Sequence, residues 1–279
     1  MTKTDEIITL HEAAELLGVH YMTAYRYVRT GRLHAEKEGP EWRVRRKDIA
    51  AFRAGQVDQP PPRSKARTTD WSGRLEDRLL AGDEAGAWLV VENALAAGTP
   101  PGAIHTDVLG PALESIGDRW AHGNLDVADE HRASAVALRL IGRLGPRFHR
   151  RGRKRGTVVV AAPAGDWHGI PVAMVGDLLR GEGFAVIDLG ADVPPASLSH
   201  AVRSTPALVA VGICATAPKR VAALRDAITA VHDADPAPFI IVGGAGTEGL
   251  DAPFLGADHV SVSAADFLEA VERAAATRR

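Results

Sequence analysis

The sequence predicts a multidomain protein with a winged helix-turn-helix head, a four-helix bundle and an α/β flavodoxin-like, Rossmann-type domain. Three observations carry this prediction. A capping box opens a short basic segment near the amino terminus, residues 72–145 show helical apolar periodicity, and apolar strands alternate with helical patterns after residue 156. The predicted boundaries are 1–55 for the head, 56–71 for a linker, 72–150 for the bundle and 151–279 for the α/β domain.

Composition limits the class of protein more than it identifies a partner. The 279 residues include 33 Lys and Arg against 35 Asp and Glu, so the overall charge does not indicate nucleic acid. A single cysteine excludes a disulfide framework and a thiolate metal cluster within one chain. We see no signal peptide and no apolar run that could span a bilayer, so we expect a cytoplasmic protein without a membrane partner.

The amino-terminal segment is typical of a helix-turn-helix. Thr9 and Glu12 have the spacing of a capping box, which predicts the start of the first helix, and Gly18 predicts the following turn. The predicted elements are helices over 9–17, 20–29 and 47–52 and two wing strands over 33–36 and 42–45. The proline-rich segment 54–69 then predicts an extended, mobile linker.

The head carries a local excess of positive charge. Between residues 20 and 53, nine Lys and Arg stand against four Asp and Glu. In helix-turn-helix proteins the second helix enters the major groove, and cations on the flanking elements meet phosphates. The predicted contacts to operator DNA are Thr23, Tyr25, Arg26, Arg29, Arg43 and Arg45. Because a single head binds weakly, we expect a homo-oligomer on a repeated operator.

Two further patterns define the rest of the chain. Between residues 72 and 145 the apolar residues form four helical stripes, the third of which includes Ile116 and Trp120. Beyond Gly156, five apolar segments predict a parallel, doubly wound sheet. The predicted strands are Thr157–Ala161, Ala185–Leu189, Leu208–Gly212, Phe239–Val242 and His259–Val262. Ligands of such sheets bind beyond the carboxyl ends of the strands, so we expect the site there.

The most informative loop follows the first of these strands and reads Gly165-Asp166-Trp167-His168-Gly169. A lone histidine in such a loop is usually structural, so the assignment of His168 as a ligand depends on its spacing from Asp166. His168 can reach above the edge of the sheet, and Asp166 is placed to hydrogen-bond its far ring nitrogen. A neutral imidazole is a good metal ligand, and a carboxylate behind it fixes the tautomer.

These residues resemble known cobalamin motifs. Asp166-x-His168 resembles the D-x-H-x-x-G signature of domains that hold cobalamin base-off with a histidine on cobalt, with Pro171 in the position of the glycine. An upstream W-x9-E-H motif is matched by Trp120, Glu130 and His131. With the MerR-like head, the chain resembles over nearly its whole length the CarH/LitR-type regulators, photoreceptors that use adenosylcobalamin as the chromophore.

The resemblance implies a cofactor and its contacts. It implies adenosylcobalamin with its cobalt, His168 as the lower ligand, and the W-x9-E-H residues as a cap on the upper face. The other cofactor contacts that it implies are Asp166, Trp167, Gly169, Cys214, Thr216, Gly243 and Gly244. Some members bring a second histidine beside the tryptophan onto cobalt after photolysis. In this chain Ala121 follows Trp120, and His122 comes one place later.

We therefore expect a light-responsive transcriptional repressor that is not an enzyme. By resemblance, it would bind DNA as a tetramer in the dark and leave the DNA after photolysis of the cobalt–carbon bond. One alternative is a regulator that senses cobalamin or another tetrapyrrole without a light switch. Another is a corrinoid carrier for methyl transfer, which the head disfavours. The lone Cys214 disfavours a MerR-type thiolate metal sensor.

Overall fold

A computed structural model describes residues 7–19, 21–29, 33–38, 41–53, 69–217, 220–234 and 238–277. The chain divides into two compact units, 1–68 and 69–279. Residues 54–68, which make up nearly all of the proline-rich segment predicted as a linker, lie outside the described residues. Within the described ranges, no helix combines the length and apolarity that a membrane span requires.

The described residues of the first unit form three helices and a three-stranded antiparallel sheet. The elements are β1 (Ile7–Thr9), α1 (Leu10–Leu17), α2 (Tyr21–Arg29), β2 (Glu36–Glu38), β3 (Glu41–Arg45) and α3 (Arg46–Arg53), with strand order β1-β3-β2. The capping box is present as predicted, because the Thr9 hydroxyl accepts from the Glu12 N–H while the Glu12 carboxylate accepts from the Thr9 N–H. This pairing satisfies amide groups that the first turn of a helix leaves without partners.

The wing differs in detail from the sequence prediction. Its first strand begins at Glu36 instead of Leu33, because Leu33 is buried in the core of the head and its N–H donates to the Tyr27 carbonyl. Strand β1 also pairs with β3, and the sequence pattern does not predict it. A run of three residues before a capping box is too short to show strand alternation.

The second unit begins with a helical region. Its elements are α4 (Trp71–Ala81), α5 (Glu84–Ala96), α6 (Pro101–Ala103), a π-helical segment (Ile104–Leu109), α7 (Gly110–Ala121), α8 (Val127–Leu144) and a 3-10 turn (Gly145–Phe148). The predicted stripes form its core, which includes Leu75, Val91 and Leu140. Trp120 departs from its stripe, because 47% of it is exposed. It therefore is not the core residue that its spacing also allowed.

A five-stranded parallel sheet follows. The strands are β4 (Thr157–Ala161), β5 (Ala185–Asp188), β6 (Leu208–Cys214), β7 (Phe239–Gly243) and β8 (His259–Ser261), in the order β5-β4-β6-β7-β8. In chain order this is 2-1-3-4-5, the flavodoxin-like order that the pattern predicts. The helices are α9 (Gly169–Gly181), α10 (Pro195–Ser204), α11 (Val221–His232), α12 (Ala252–Leu255) and α13 (Ala264–Thr277).

Both faces of the sheet are covered. Alternate residues of the strands point to opposite faces, so Val159 packs with the α10 and α11 side while Val158 packs with α9 and α13. The helical region rests on α9, since Met174 and Leu178 of that helix pack against its core. Helix α9 therefore contacts the helical region along its length and begins at the loop that carries His168.

Candidate functional site

The loops after β4 and β5 hold each other at the carboxyl edge of the sheet. The Gly165 N–H donates to Oδ1 of Asp192 at 2.6 Å, and the Asp192 N–H donates to the carbonyl of Asp166 at 2.9 Å. Gly165 has φ of 77°, a left-handed conformation that glycine adopts without a side-chain clash. These contacts fix the backbone immediately before His168.

Asp166 is the central polar residue of this edge. Only 1% of it is exposed, and both carboxylate oxygens have partners. Oδ2 accepts from the N–H groups of Thr216 and Ala217 at 2.6 and 2.9 Å. Oδ1 accepts from the His168 N–H at 3.2 Å and lies 2.7 Å from Nδ1 of the same histidine. One buried carboxylate thus joins the loop after β6 to the His168 ring.

The charges of this pair follow from its surroundings. Burial opposes ionisation of Asp166, but hydrogen bonds from the His168 ring and from the backbone N–H groups of Ala217, Thr216 and His168 outweigh it and lower the pKa of Asp166 to about 2. The hydrogen bond to Asp166 raises the pKa of His168, burial opposes this, and the negative charges of Asp166 and Glu130 add to it. An ionised carboxylate only accepts, so Nδ1 carries a proton.

This arrangement leaves one ring nitrogen of His168 for a ligand. Nδ1 is occupied by Asp166, and about half of the His168 side chain is exposed. In the neutral imidazole the proton on Nδ1 places the lone pair on Nε2, and a carboxylate behind the ring increases its basicity. His168 therefore offers a single, oriented imidazole nitrogen to a ligand.

The loops after β6 and β7 meet backbone to backbone beside this pair. The Ala215 N–H donates to the Gly243 carbonyl at 2.8 Å, and the Gly246 N–H donates to the Ala215 carbonyl at 2.9 Å. Gly244 has φ of 107°, and a Cβ there would lie 2.5 Å from the Ala215 carbonyl oxygen. The predicted Gly244 is therefore required by close approach and not only by a turn, whereas a Cβ on the predicted Gly243 would meet Ser261 at an ordinary 3.4 Å.

Cys214 and Thr216 occupy the end of β6 and the loop that follows it. Burial raises the pKa of the Cys214 thiol to about 12, and the charges of Asp188 and Asp166 act in the same direction. A thiol of this kind stays protonated and acts as a small apolar group. Thr216 contributes its N–H to Asp166 and so lies beside the Asp166–His168 pair, while its contact with a cofactor stays a prediction.

The W-x9-E-H residues lie on the helical region of the same unit. Glu130 is in the first turn of α8, where its Oε2 lies 2.6 Å from Nδ1 of His131 and its Oε1 accepts from the Ser134 hydroxyl at 2.6 Å. The charge of Glu130 contributes to the raised pKa of His168, so the two motifs are within electrostatic reach of each other. Trp120, near the end of α7, presents about half of its surface to solvent.

Two neighbouring residues have less direct placements. Trp167, which lies between Asp166 and His168 in the sequence, is 78% exposed, and Gly169 is the first residue of α9. His122 caps α7, and its Nδ1 lies 2.6 Å from the carbonyl of Asp118. In this structure the His122 ring is therefore tied to the last turn of α7.

The predicted DNA contacts are described in part. Thr23 and Tyr25 of α2 are half-buried, and the Tyr25 ring meets Trp42 edge-on at a centroid distance of 6.5 Å. Arg43 and Arg45 lie on β3, and Arg45 pairs with Glu36 at 2.8 Å. The side chains of Arg26 and Arg29 lie outside the described residues. The aromatic contacts of Tyr25 show that this residue also packs the head together.

Sequence reasoning missed three residues at the site. Ala217 donates a backbone N–H to Asp166, and Asp192 fixes the loop that carries Asp166. Arg220 lies so close to the same loop that a Cβ on Gly165 would overlap its guanidinium. The position of Asp192 just beyond β5 was an available signal, because ligand-edge residues follow strand ends. A backbone donor such as Ala217 leaves no trace in the sequence.

Comparison with known proteins assigns all three regions. Residues 71–144 and residues 156–275 each match a family described as B12 binding domain, and residues 7–57 match a helix-turn-helix domain. The chain therefore carries B12-binding domains together with a helix-turn-helix domain. That combination supports a CarH-like, B12-binding regulator.

Individual relatives point to two kinds of protein. The chain is 36% identical over 168 residues to the HTH-type transcriptional repressor CarA of Myxococcus xanthus. This alignment covers 55% of this chain and 51% of CarA. The chain is also 30% identical over 124 residues to trimethylamine corrinoid protein 1 of Methanosarcina acetivorans. This alignment covers 43% of this chain and 57% of that protein. The chain thus spans about half the length of these curated relatives.

A solved structure shares the fold. The monomethylamine corrinoid protein of Methanosarcina barkeri superposes with a TM-score of 0.62 at 20% sequence identity, covering 76% of this chain and 100% of that one. At this level of identity the similarity concerns the fold. It supports the assignment of a Rossmann-like α/β domain with a helical region before it.

Proposed function

We propose that this protein is a light-responsive transcriptional repressor that binds adenosylcobalamin and catalyses no reaction. The observation that carries the proposal is the Asp166–His168 pair, which presents one ring nitrogen at the ligand edge of a B12-binding domain. The same chain carries a helix-turn-helix domain over residues 7–57. A ligand site and a DNA-binding head in one chain are the two parts that a ligand-controlled regulator needs.

The residues at the sheet edge fit a corrinoid held by histidine. A corrin ring supplies four nitrogen ligands to cobalt, so the protein has to add a single lower ligand, and His168 is oriented for that role by Asp166. Gly244 allows the β6 and β7 loops to lie backbone to backbone, which suits a narrow slot for the nucleotide tail. Bound adenosylcobalamin would supply a cobalt–carbon bond that visible light breaks.

The helical region supplies the other wall of the proposed site. We interpret it as a four-helix bundle whose Trp120, Glu130 and His131 contact the adenosyl group. Trp120 offers an exposed flat ring, and the Glu130–His131 pair offers hydrogen-bonding groups to a ribose or an adenine. Loss of the adenosyl group would leave these side chains without a partner, so the helical region would shift against α9.

The proposed readout is oligomeric. Weak DNA contacts from single heads become effective when several heads are linked in one assembly, and an assembly that comes apart loses that advantage. We therefore propose a tetramer in the dark that dissociates in the light. The DNA contacts assigned to it are those of α2 and the wing, including Arg43 and Arg45.

Two other functions have specific support. A corrinoid carrier for methyl transfer is favoured by the similarity to trimethylamine corrinoid protein 1, but that similarity covers only 43% of this chain, and the head adds a domain that a carrier does not need. A cobalamin sensor without a light switch would use the same His168 site. It would respond to the presence of the cofactor and not to the state of its upper ligand.

One experiment separates the three functions. DNA selected by the full chain from a random duplex library is titrated with the apoprotein, the adenosylcobalamin form and the methylcobalamin form, each in darkness and after green light. The proposal predicts tight binding only for the adenosyl form in darkness. Equal binding in light and darkness, with photolysis confirmed by absorbance, would indicate a sensor without a light switch. If no form selects DNA, the proposed regulator is wrong and the carrier is favoured.

A further inference from the structure

The connection between the helical region and the sheet carries an unusual concentration of positive charge. We call residues 147–155 the basic strap. It contains Arg147, Arg150, Arg151, Arg153, Lys154 and Arg155 and no acidic residue, in a chain whose formal net charge is −2. A cluster of like charges opposes the compact state through self-repulsion unless counter-charges balance it.

The basic strap is held in place at its ends. Phe148 is 5% exposed and stacks on His105 at a centroid distance of 4.9 Å. At the other end, Nη1 of Arg155 lies 2.9 Å from the Glu272 carboxylate, and its guanidinium lies 4.7 Å from the centre of the Phe184 ring. The segment between these anchors is therefore presented by the fold at a defined place.

The cations of the basic strap other than Arg155 face solvent. Arg147, Arg150, Arg151 and Arg153 are exposed, and among the described residues none of them forms an ion pair with a carboxylate. Lys154 is also exposed, and its Nζ donates to the carbonyl of Arg150 at 2.8 Å. Four of the six positive charges are thus available to an external polyanion.

The basic strap is remote from the proposed cofactor edge. It leads into the amino end of β4, whereas His168 follows the carboxyl end of the same strand. The five residues of β4 separate the two ends by about 16 Å, at roughly 3.3 Å per residue. Changes in the strap therefore need not disturb the Asp166–His168 pair.

We propose that the basic strap is a second DNA-binding surface, which contacts phosphates independently of sequence while the helix-turn-helix head reads the operator. The inference rests on the proposed function, because binding of DNA by the helix-turn-helix head would bring the phosphates to this protein. Five of the six cations are arginine, whose planar guanidinium matches phosphate oxygens in pairs. The aromatic residue of the strap, Phe148, is buried, so the strap lacks the exposed apolar side chains that insert into a membrane surface.

The salt dependence of DNA binding tests this surface. Each phosphate contact adds about 0.9 to the slope of log affinity against log salt concentration. The triple variant Arg150→Gln, Arg151→Gln, Arg153→Gln of the full chain, loaded with adenosylcobalamin in darkness, is titrated with a mixed-sequence duplex over a salt series. We expect its slope to fall by about 2 to 3 relative to the parent chain, with affinity reduced equally for all sequences.

A charge-matched control makes the result specific. The triple variant Arg74→Gln, Arg203→Gln, Arg225→Gln removes the same charge from exposed positions elsewhere in the second unit. It should keep the parent slope, and both variants should keep the cobalamin absorbance spectrum. Equal falls in slope for both triple variants, or an unchanged slope for the strap variant, would overturn the proposal.

Further arms separate this proposal from its alternatives and from the proposed function. The head variant Arg43→Gln, Arg45→Gln should weaken operator binding while the strap-dependent part of the slope remains. If the strap variant instead loses only binding to phosphatidylserine vesicles, or only changes oligomeric state on size exclusion, the strap serves a membrane or a second copy and the proposal is wrong. If the parent chain binds no DNA at all, the proposed regulator fails with it.

Discussion

Oδ1 of Asp166 lies 2.7 Å from Nδ1 of His168, while Oδ2 of the same buried carboxylate accepts from the backbone of Thr216 and Ala217. A ligand-bearing ring is thereby coupled to the loop after the neighbouring strand. Movement of either loop would break hydrogen bonds of a carboxylate that is only 1% exposed to solvent. The histidine is therefore oriented before any ligand arrives.

Replacement of His168 tests its role as a ligand. His168→Ala should weaken cobalamin retention and shift the bound spectrum toward that of a cofactor without a histidine ligand, because it removes the ring nitrogen that Asp166 orients. The measurement is an absorbance titration of the purified variant. His200→Ala removes an exposed histidine from α10 and should match the parent chain. Unchanged spectrum and affinity in His168→Ala would rule out the assignment.

Replacement of the Asp166 carboxylate tests how much the orientation of His168 contributes, because the histidine ligand itself is kept. Asp166→Asn keeps the size of the side chain but turns one acceptor into a donor that faces backbone N–H groups. We expect the free energy of unfolding to fall by about 1–3 kcal/mol and the cofactor to be held less tightly. Urea unfolding and absorbance titration measure the two effects. Asp126→Asn changes a helix cap for which Asn serves equally well, and it should cost little.

The two neighbouring glycines at the end of β7 offer a matched pair. In Gly244→Ala the new Cβ would meet the Ala215 carbonyl oxygen at 2.5 Å in a left-handed backbone, which we expect to cost about 1–3 kcal/mol and to spread the loops apart. In Gly243→Ala the closest atoms would be those of Ser261 at 3.4 Å, an ordinary contact. Similar urea midpoints and cofactor retention in both variants would contradict a backbone-to-backbone slot.

The two tryptophans of the helical region distinguish a lid from a core residue. Trp88 is 7% exposed and Trp120 is 47% exposed. Trp88→Ala should lower the free energy of unfolding by about 3–5 kcal/mol, whereas Trp120→Ala should cost well under half of that. Adenosylcobalamin should promote oligomer formation more strongly than methylcobalamin in the parent chain, and Trp120→Ala should make this difference smaller. Full discrimination between the two forms in Trp120→Ala would show that the lid lies elsewhere.

Removal of residues 1–55 tests whether DNA binding depends on the head while cobalamin binding and assembly depend on the second unit. The truncated chain keeps the compact unit 69–279, so it should bind cobalamin and assemble as the full chain does. It should lose sequence-specific DNA binding, because the helix-turn-helix domain is absent. Absorbance titration and DNA titration under identical conditions provide the comparison. Loss of cobalamin binding on truncation would contradict this arrangement.

Much of the fold was predictable because its signals are local. The Thr9 capping box, the five apolar strands and the Asp166-x-His168 spacing each lie within a few residues of sequence, and the structure places all of them as expected. Strand β1 and the π-helical segment Ile104–Leu109 were not predictable in this way. Strand β1 pairs with β3, and His105 of the π-helical segment contacts Asp177 and Phe148. Apolar periodicity does not record such distant partners.

The same reasoning explains what could be anticipated of the site. Side chains with chemical character, such as His168 and Glu130, stand out in the sequence. The N–H of Ala217 reaches Asp166 across 51 residues of chain, and an alanine carries no chemical signal. The exposure of Trp120 was also undetermined, because a tryptophan in an apolar stripe fits a core and a lid equally well. Only the packing of α7 against its neighbours decides between them.

The most direct test of the account is the size of the assembly before and after illumination. The full chain is loaded with adenosylcobalamin and run on size exclusion with absorbance and light-scattering detection, first in darkness and then after green light. We predict a tetramer in darkness and smaller species after photolysis, with His168→Ala failing to form the dark assembly. Identical profiles in both conditions, with photolysis confirmed by the spectrum, would contradict a light-driven switch in this regulator.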